Sequence, residues 1–152
     1  MTRIIILFPL LLCSLLSLAQ EIDPKPQAYL VGQAQGSEYQ LVSARPTQQQ
    51  ALAQRVRDAL PRPSQNEWQW RSEQLVNTDY AGWMYEVQWE DGPDTWTARF
   101  ELITRQGDLY LLSVGTFQLC HCIDCGTGGF QAQGRGCACG ADCEFLAGST
   151  LH

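Results

Sequence analysis

The residues of this chain that are best suited to chemistry are six cysteines near its carboxyl end. They are Cys120, Cys122, Cys125, Cys137, Cys139 and Cys143. The cysteines form two groups of three with related spacing, because each group reads C-x-C, a short spacer and then Asp-Cys. Thiols at this density either cross-link as disulfides or hold a metal ion as thiolates. The pattern predicts a cross-linked or metal-binding segment.

The amino terminus predicts export. Arg3 precedes an apolar run over residues 4–18, and the small residues Ser17 and Ala19 suit a cleavage site. Residues 1–19 are therefore predicted to be a signal peptide, and a mature chain of about 133 residues would follow. The run is shorter than the roughly 20 apolar residues of a membrane span, so no retained transmembrane segment is expected. We expect a secreted or periplasmic protein.

Export favours disulfides for all six cysteines, because thiols oxidise outside the cytoplasm. The cysteine-rich segment is glycine-rich and has few large apolar residues, so burial alone would not hold its shape. Neighbours within a C-x-C pair rarely bond each other. We therefore expect most bridges to join the first group of three to the second, and we expect no cofactor.

Two alternatives use the same residues. Cys122, Cys125, Cys139 and Cys143 form C-x2-C and C-x3-C pairs that suit tetrahedral zinc, and His121 offers a nitrogen. Copper(I) would be the other metal, since it is a soft ion that takes several sulfurs. The C-x-x-C pair of Cys122 and Cys125 is also typical of thiol-redox proteins.

Upstream of the cysteines, one amphipathic helix is predicted after Pro46. Thr47 is expected to cap it, with Gln50 three places later. Its apolar residues recur at the spacing of one helical face and are Leu52, Val56, Ala59 and Leu60. Pro61 is expected to end the helix, because proline lacks an amide donor.

A period of two predicts antiparallel strands after the helix. Residues 83–90 and 95–102 alternate, and the turn-forming residues 91–94 separate them. In the predicted register the facing pairs are Trp89 with Trp96, Val87 with Ala98, Tyr85 with Phe100, and Glu86 with Arg99. The face that carries Glu86 and Arg99 is expected to be solvated.

Other strands are less sharply defined. Short strands are predicted near residues 39–44 and around Trp68, Trp70 and Val76, and a further strand over residues 109–117. A three-residue loop before this last strand would set Leu112 opposite Leu102, whereas a two-residue loop would shift the pairing.

The predicted fold class is α+β. One helix packs on an antiparallel meander of three or four strands over residues 38–118, after an irregular leader at 20–37, and a Gly/Cys-rich, disulfide-linked tail follows at 119–152. This order resembles the layout of cystatin-like folds in architecture alone. The Q-x-V-x-G signature of inhibitory cystatins is missing, since the nearest string, at residues 40–44, precedes the helix and ends in alanine.

Composition excludes several functions. The net charge is −6, and the chain has a single lysine, so nucleic-acid binding is not expected. The two histidines, His121 and His152, leave no convincing base for a catalytic triad. We predict a non-enzymatic binding or structural role with a protein or glycan ligand. Exposed tryptophans on the sheet would favour a binding surface, and buried ones a core.

Mass spectrometry of the non-reduced mature protein separates the interpretations of the cysteines. Three bridges would make the protein six hydrogens lighter than its reduced form and leave no thiol for alkylation. Alkylated thiols together with bound zinc or copper would contradict the disulfide hypothesis.

Overall fold

The computed structural model describes residues 27–61, 66–125, 129–131, 134–138 and 142–150. The predicted signal peptide, together with Cys139 and His152, lies outside these residues. Within the described ranges, no helix combines the length and apolar character needed to cross a membrane.

The described residues form one helix and eight strands. In chain order they are β1 Ala28–Gln35, β2 Glu38–Leu41, α1 Pro46–Asp58, β3 Gln69–Thr78, β4 Gly82–Asp91, β5 Asp94–Arg105, β6 Asp108–Leu112, β7 Gly115–Ile123 and β8 Cys143–Thr150. The strands belong to one sheet in the order β2-β1-β6-β5-β4-β3, and β7 pairs with both β5 and β8. All pairs are antiparallel.

The predicted fold class is wrong, and so is its cystatin-like layout. The molecule is mostly sheet, and the sheet nearly closes, because the outer strands β2 and β3 contact each other. The Tyr39 ring of β2 also packs edge-on against Trp83 of β4, with 5.2 Å between ring centroids.

Two strands lie where the sequence predicted no sheet. Residues 28–35 lie in the predicted leader and form β1 against β6, and residues 143–150 lie in the predicted tail and form β8 against β7. Neither segment alternates strictly between apolar and polar residues. Their extended conformation depends on hydrogen bonds to distant partner strands, and strand propensity alone does not report that context.

The β4–β5 hairpin is as predicted, since all four predicted facing pairs occur. Alternating aromatic residues fix this register, because a slip by one residue would turn every large side chain to the other face. The next hairpin has the two-residue loop: Gln106 and Gly107 both have positive φ, and Leu102 faces Leu111. The single strand predicted over residues 109–117 is instead divided between β6 and β7.

The helix begins one residue before the predicted cap. Arg45 is the N-cap, and its amide donates to Oε1 of Gln48 at 2.8 Å, so the Thr47 cap is wrong. Pro46 takes the first helical position, where its missing N–H costs nothing. Leu52, Val56 and Leu60 are buried in the main core.

The inner face of the sheet, which we define as the face packed toward α1, carries that core. Tyr85, Trp89 and Trp96 lie in it, with Trp89 only 1% and Trp96 only 7% exposed. The Trp68 ring stacks on Trp96 at 4.7 Å between centroids. Trp89 and Trp96 are therefore core residues and offer no surface for a ligand to stack on.

The outer face was expected to be solvated, yet Arg99 on it is only 2% exposed. Its Nε donates to Glu86 at 2.6 Å, and Nη1 and Nη2 donate to the carbonyls of Gly134 (3.0 Å) and Gln131 (3.3 Å). The guanidinium also lies over the Phe130 ring, 4.3 Å from its centroid. Residues of the cysteine-rich segment thus cover this face around the guanidinium.

Arg99→Met should lower the free energy of unfolding by about 3–5 kcal/mol, because it leaves the partly buried Glu86 carboxylate without its cation. Arg71→Met is the matched control: Arg71 pairs with Glu90 across β3 and β4 in solvent, and its loss should cost about 1 kcal/mol or less. Urea denaturation measures both values. Equal losses would contradict the role assigned to Arg99.

Candidate functional site

The cysteines form disulfides in the structure. Cys120 bonds Cys137, and Cys122 bonds Cys143, so both bridges join the first group of three to the second, as predicted. Cys125 is also disulfide-bonded. The sixth predicted disulfide residue, Cys139, lies outside the described residues.

The two bridges fasten the cysteine-rich segment to the outer face of the sheet. Cys120 and Cys122 are fully buried in β7, opposite Thr97 and Thr95 of β5. Cys143 begins β8 directly across from Cys122. Each bridge restricts the conformations of the unfolded chain, which typically adds about 2–4 kcal/mol to the free energy of unfolding. Together the bridges hold the cysteine-rich segment in place.

The alternative chemistries need these sulfurs reduced. Cys122 is paired with Cys143 rather than with Cys125, so the C-x-x-C pair is not itself the disulfide. Zinc or copper binding would need thiolates at Cys122 and Cys143, whose sulfurs are bonded to each other. Metal binding stays a prediction that concerns the reduced chain.

His121 does not share a face with its two flanking cysteines. It faces Trp96 on the neighbouring strand, and their rings stack at 3.8 Å between centroids. Its Nε2 lies 3.0 Å from Oδ2 of Asp94. Side chains alternate along a strand, so Cys120 and Cys122 point to the opposite side of the sheet.

A cleft that the sequence did not predict lies between α1 and strands β1 and β6. Its volume is about 80 Å³, and apolar side chains from four elements make up most of its wall. These include Leu30 and Val31 of β1, Leu52 of α1, Tyr85 of β4, and Leu111 and Leu112 of β6. Gln48, Arg55 and Ser113 add polar groups.

Arg55 is the charged residue of this cleft. Its Nη1 donates to the carbonyl of Leu112 at 2.8 Å and its Nη2 to that of Gly115 at 2.9 Å. The guanidinium lies 5.1 Å from the centroid of the Phe100 ring. Its Nε is buried and has no hydrogen-bond partner among the described residues. Burial lowers the pKa of Arg55 from its ordinary value, because nothing around it fully replaces the lost water.

Tyr85 is a fully buried residue in the wall of the same cleft, and its hydroxyl is hydrogen-bonded. It donates to the Glu73 carboxylate, which also accepts the backbone N–H of Ala44 at 3.1 Å. Burial raises the pKa of Tyr85, and the hydrogen bond and negative charge of Glu73 raise it further. The phenol therefore stays protonated, and Glu73 is already engaged.

The sequence held one signal for this cleft. Arg55 stands three residues after Leu52 and one before Val56, so helical spacing places a cation beside the apolar stripe. The sequence does not predict the rest of the wall, because β1 falls within the predicted leader and the cleft needs four elements that are distant in sequence.

A wider groove of about 400 Å³ lies on the other side of α1. It is lined by polar helix residues, among them Gln50, Gln54 and Arg57, and by the half-buried Trp70. Its wall includes Trp68 and Trp89, whose rings are buried and packed against each other at 5.7 Å between centroids.

Comparisons with protein-family models, with curated proteins and with solved structures find no match for this chain.

The Tyr85–Glu73 pair predicts sensitivity to alkali. The pKa of Tyr85 is raised in the folded state. The neutral Tyr85 hydroxyl therefore contributes fully to stability below about pH 10, where unfolded tyrosine is also neutral. Above that pH the unfolded state ionises first, and stability should fall by up to about 1.4 kcal/mol per pH unit. Tyr85→Phe should remove this part of the pH dependence of the free energy of unfolding, which chemical denaturation at several alkaline pH values measures.

Tyr110→Phe in β6 is the control for this experiment, since it leaves the Tyr85–Glu73 pair intact and should keep the slope. An unchanged alkaline slope in Tyr85→Phe would show that the pair does not produce it.

Proposed function

We propose that this protein is an extracytoplasmic, disulfide-stabilised binding protein without catalytic activity. Its ligand would be a small organic molecule held in the cleft between α1, β1 and β6. The lining of the cleft supports this proposal: mostly apolar walls carry a few polar groups, which is the composition found at small-molecule sites. The disulfides and the signal pattern of residues 1–19 support an oxidising compartment.

Several wall residues of the cleft are packed in the core. Tyr85 and Leu111 belong to the buried core, and Val31 is only 4% exposed. The Glu73 carboxylate connects Tyr85 to the chain segment between β2 and α1 through the Ala44 amide. A site whose wall is already ordered loses little conformational entropy when a ligand binds.

A protein or glycan partner, as the sequence predicted, would use another surface. Sugar rings stack on exposed aromatic faces, and Trp89 and Trp96 are buried. A competing function as a zinc, copper or thiol-redox protein would require reduction of the bridge between Cys122 and Cys143.

Ala51→Phe tests the cleft. Ala51 is an exposed residue of α1 at the edge of the cleft, so the larger ring should block it without disturbing the core. We expect small molecules with an apolar chain, such as hexanoate or 1-hexanol, to perturb NMR signals of Leu30, Leu111 and Ser113 in the unchanged protein and not in this variant.

Gln50→Phe is the matched control, because it adds the same ring to an exposed position of α1 that lines the groove instead. It should leave binding unchanged. Perturbations that persist in Ala51→Phe, or that map to the groove around Trp70, would place the ligand elsewhere.

A further inference from the structure

We propose that the cleft selects an anionic ligand, and that Arg55 recognises the carboxylate of a small monocarboxylic acid with an apolar body. This inference rests on the binding function proposed above and assigns its ligand class.

The guanidinium of Arg55 is not neutralised by any acid among the described residues. Its two terminal nitrogens reach only main-chain carbonyls, those of Leu112 and Gly115. Carbonyl oxygens satisfy hydrogen bonds but do not balance the charge. A partly buried cation without an anion is costly, and an incoming carboxylate would offset that cost.

Glu73, the acid that is hydrogen-bonded to Tyr85 of the cleft wall, does not take this role. Glu73 accepts from the Tyr85 hydroxyl and from the Ala44 amide, and it is not among the described residues that line the cleft. Arg99 differs from Arg55 in having an acidic partner. On the outer face of the same sheet, the fold supplies Glu86 as a counterion at 2.6 Å, whereas Arg55 has no equivalent among the described residues.

Donors remain available at Arg55. A guanidinium has five N–H donors, and the contacts to Leu112 and Gly115 use one on each terminal nitrogen, which leaves a second N–H on each. Ser113 adds a hydroxyl to the same cleft, and its Oγ accepts the Gln27 amide at 3.0 Å, which leaves its own proton to donate. Carboxylate oxygens accept such hydrogen bonds, and charge makes them stronger than neutral ones.

The rest of the cleft argues for an apolar body and a single charge. Leu30, Val31, Leu52 and Leu111 offer only hydrocarbon to a ligand. Arg55 is the one cation that lines the described cleft, and the chain as a whole carries a net charge of −6. A phosphate dianion or a polyanion would bring more charge than one guanidinium balances.

Arg55 also holds the connection between β6 and β7 through its two carbonyl contacts, so removing it changes more than charge. The decisive comparison therefore uses the unchanged, oxidised mature protein with two ligands of equal length. Isothermal titration calorimetry with hexanoate and with 1-hexanol should give hexanoate at least about tenfold tighter binding, as expected for a charge-assisted contact.

Variants then assign the preference to Arg55. Arg55→Met should reduce hexanoate to the affinity of 1-hexanol while leaving 1-hexanol little changed, and Arg55→Lys should keep part of the preference. Arg57→Met is the matched control: it removes the same charge from the same helix, but Arg57 lines the groove and not the cleft, so the preference should persist.

The outcomes separate the two proposals. Equal binding of hexanoate and 1-hexanol, both blocked by Ala51→Phe, would overturn the anion inference and leave the binding function standing. A preference that survives in Arg55→Met would also overturn the role of Arg55. If neither molecule binds the unchanged protein, both the binding function and the anion inference are wrong.

Discussion

The buried guanidinium of Arg99 is the interaction on which the outer face of the sheet depends. A charge that is 98% removed from water must be paired and hydrogen-bonded, and Glu86, two carbonyls and the Phe130 ring provide this. The carbonyls and the ring belong to the cysteine-rich segment, so the charge can be buried only when that segment lies on the sheet. The disulfides from Cys120 and Cys122 hold the segment there covalently.

The inner face of the sheet packs against α1. The helix contributes Leu52 and Val56 to the core and, one position before Val56, the partly buried Arg55. The two arginines are thus treated differently by the same fold. Arg99 receives an acid within the protein, which suits a structural role. Among the described residues Arg55 contacts two carbonyls and the Phe100 ring but no acid, which suits the proposed recognition of a ligand that brings its own negative charge.

The disulfide cluster and the cleft differ in how far the sequence could reveal them. Bridges between the two cysteine groups were predictable, because repeated C-x-C spacing disfavours local pairing and export favours oxidation. The cleft was not predictable, since its wall needs Leu30 of β1 and Leu111 of β6 side by side. Only the pairing of strands far apart in sequence brings them together.

The amino-acid sequence by itself determined the local features: the helix after Pro46, the β4–β5 register and the pairing of one cysteine group with the other. The helix and the register follow from the spacing of neighbouring residues, and the cysteine pairing follows from the chemical type and repeated spacing of the thiols. Only the tertiary structure decided that β1 and β8 complete the sheet and that Arg99 is buried. It also left Arg55 beside a cleft. These outcomes follow from long-range pairing and desolvation, which depend on the partner segment and not on the local sequence.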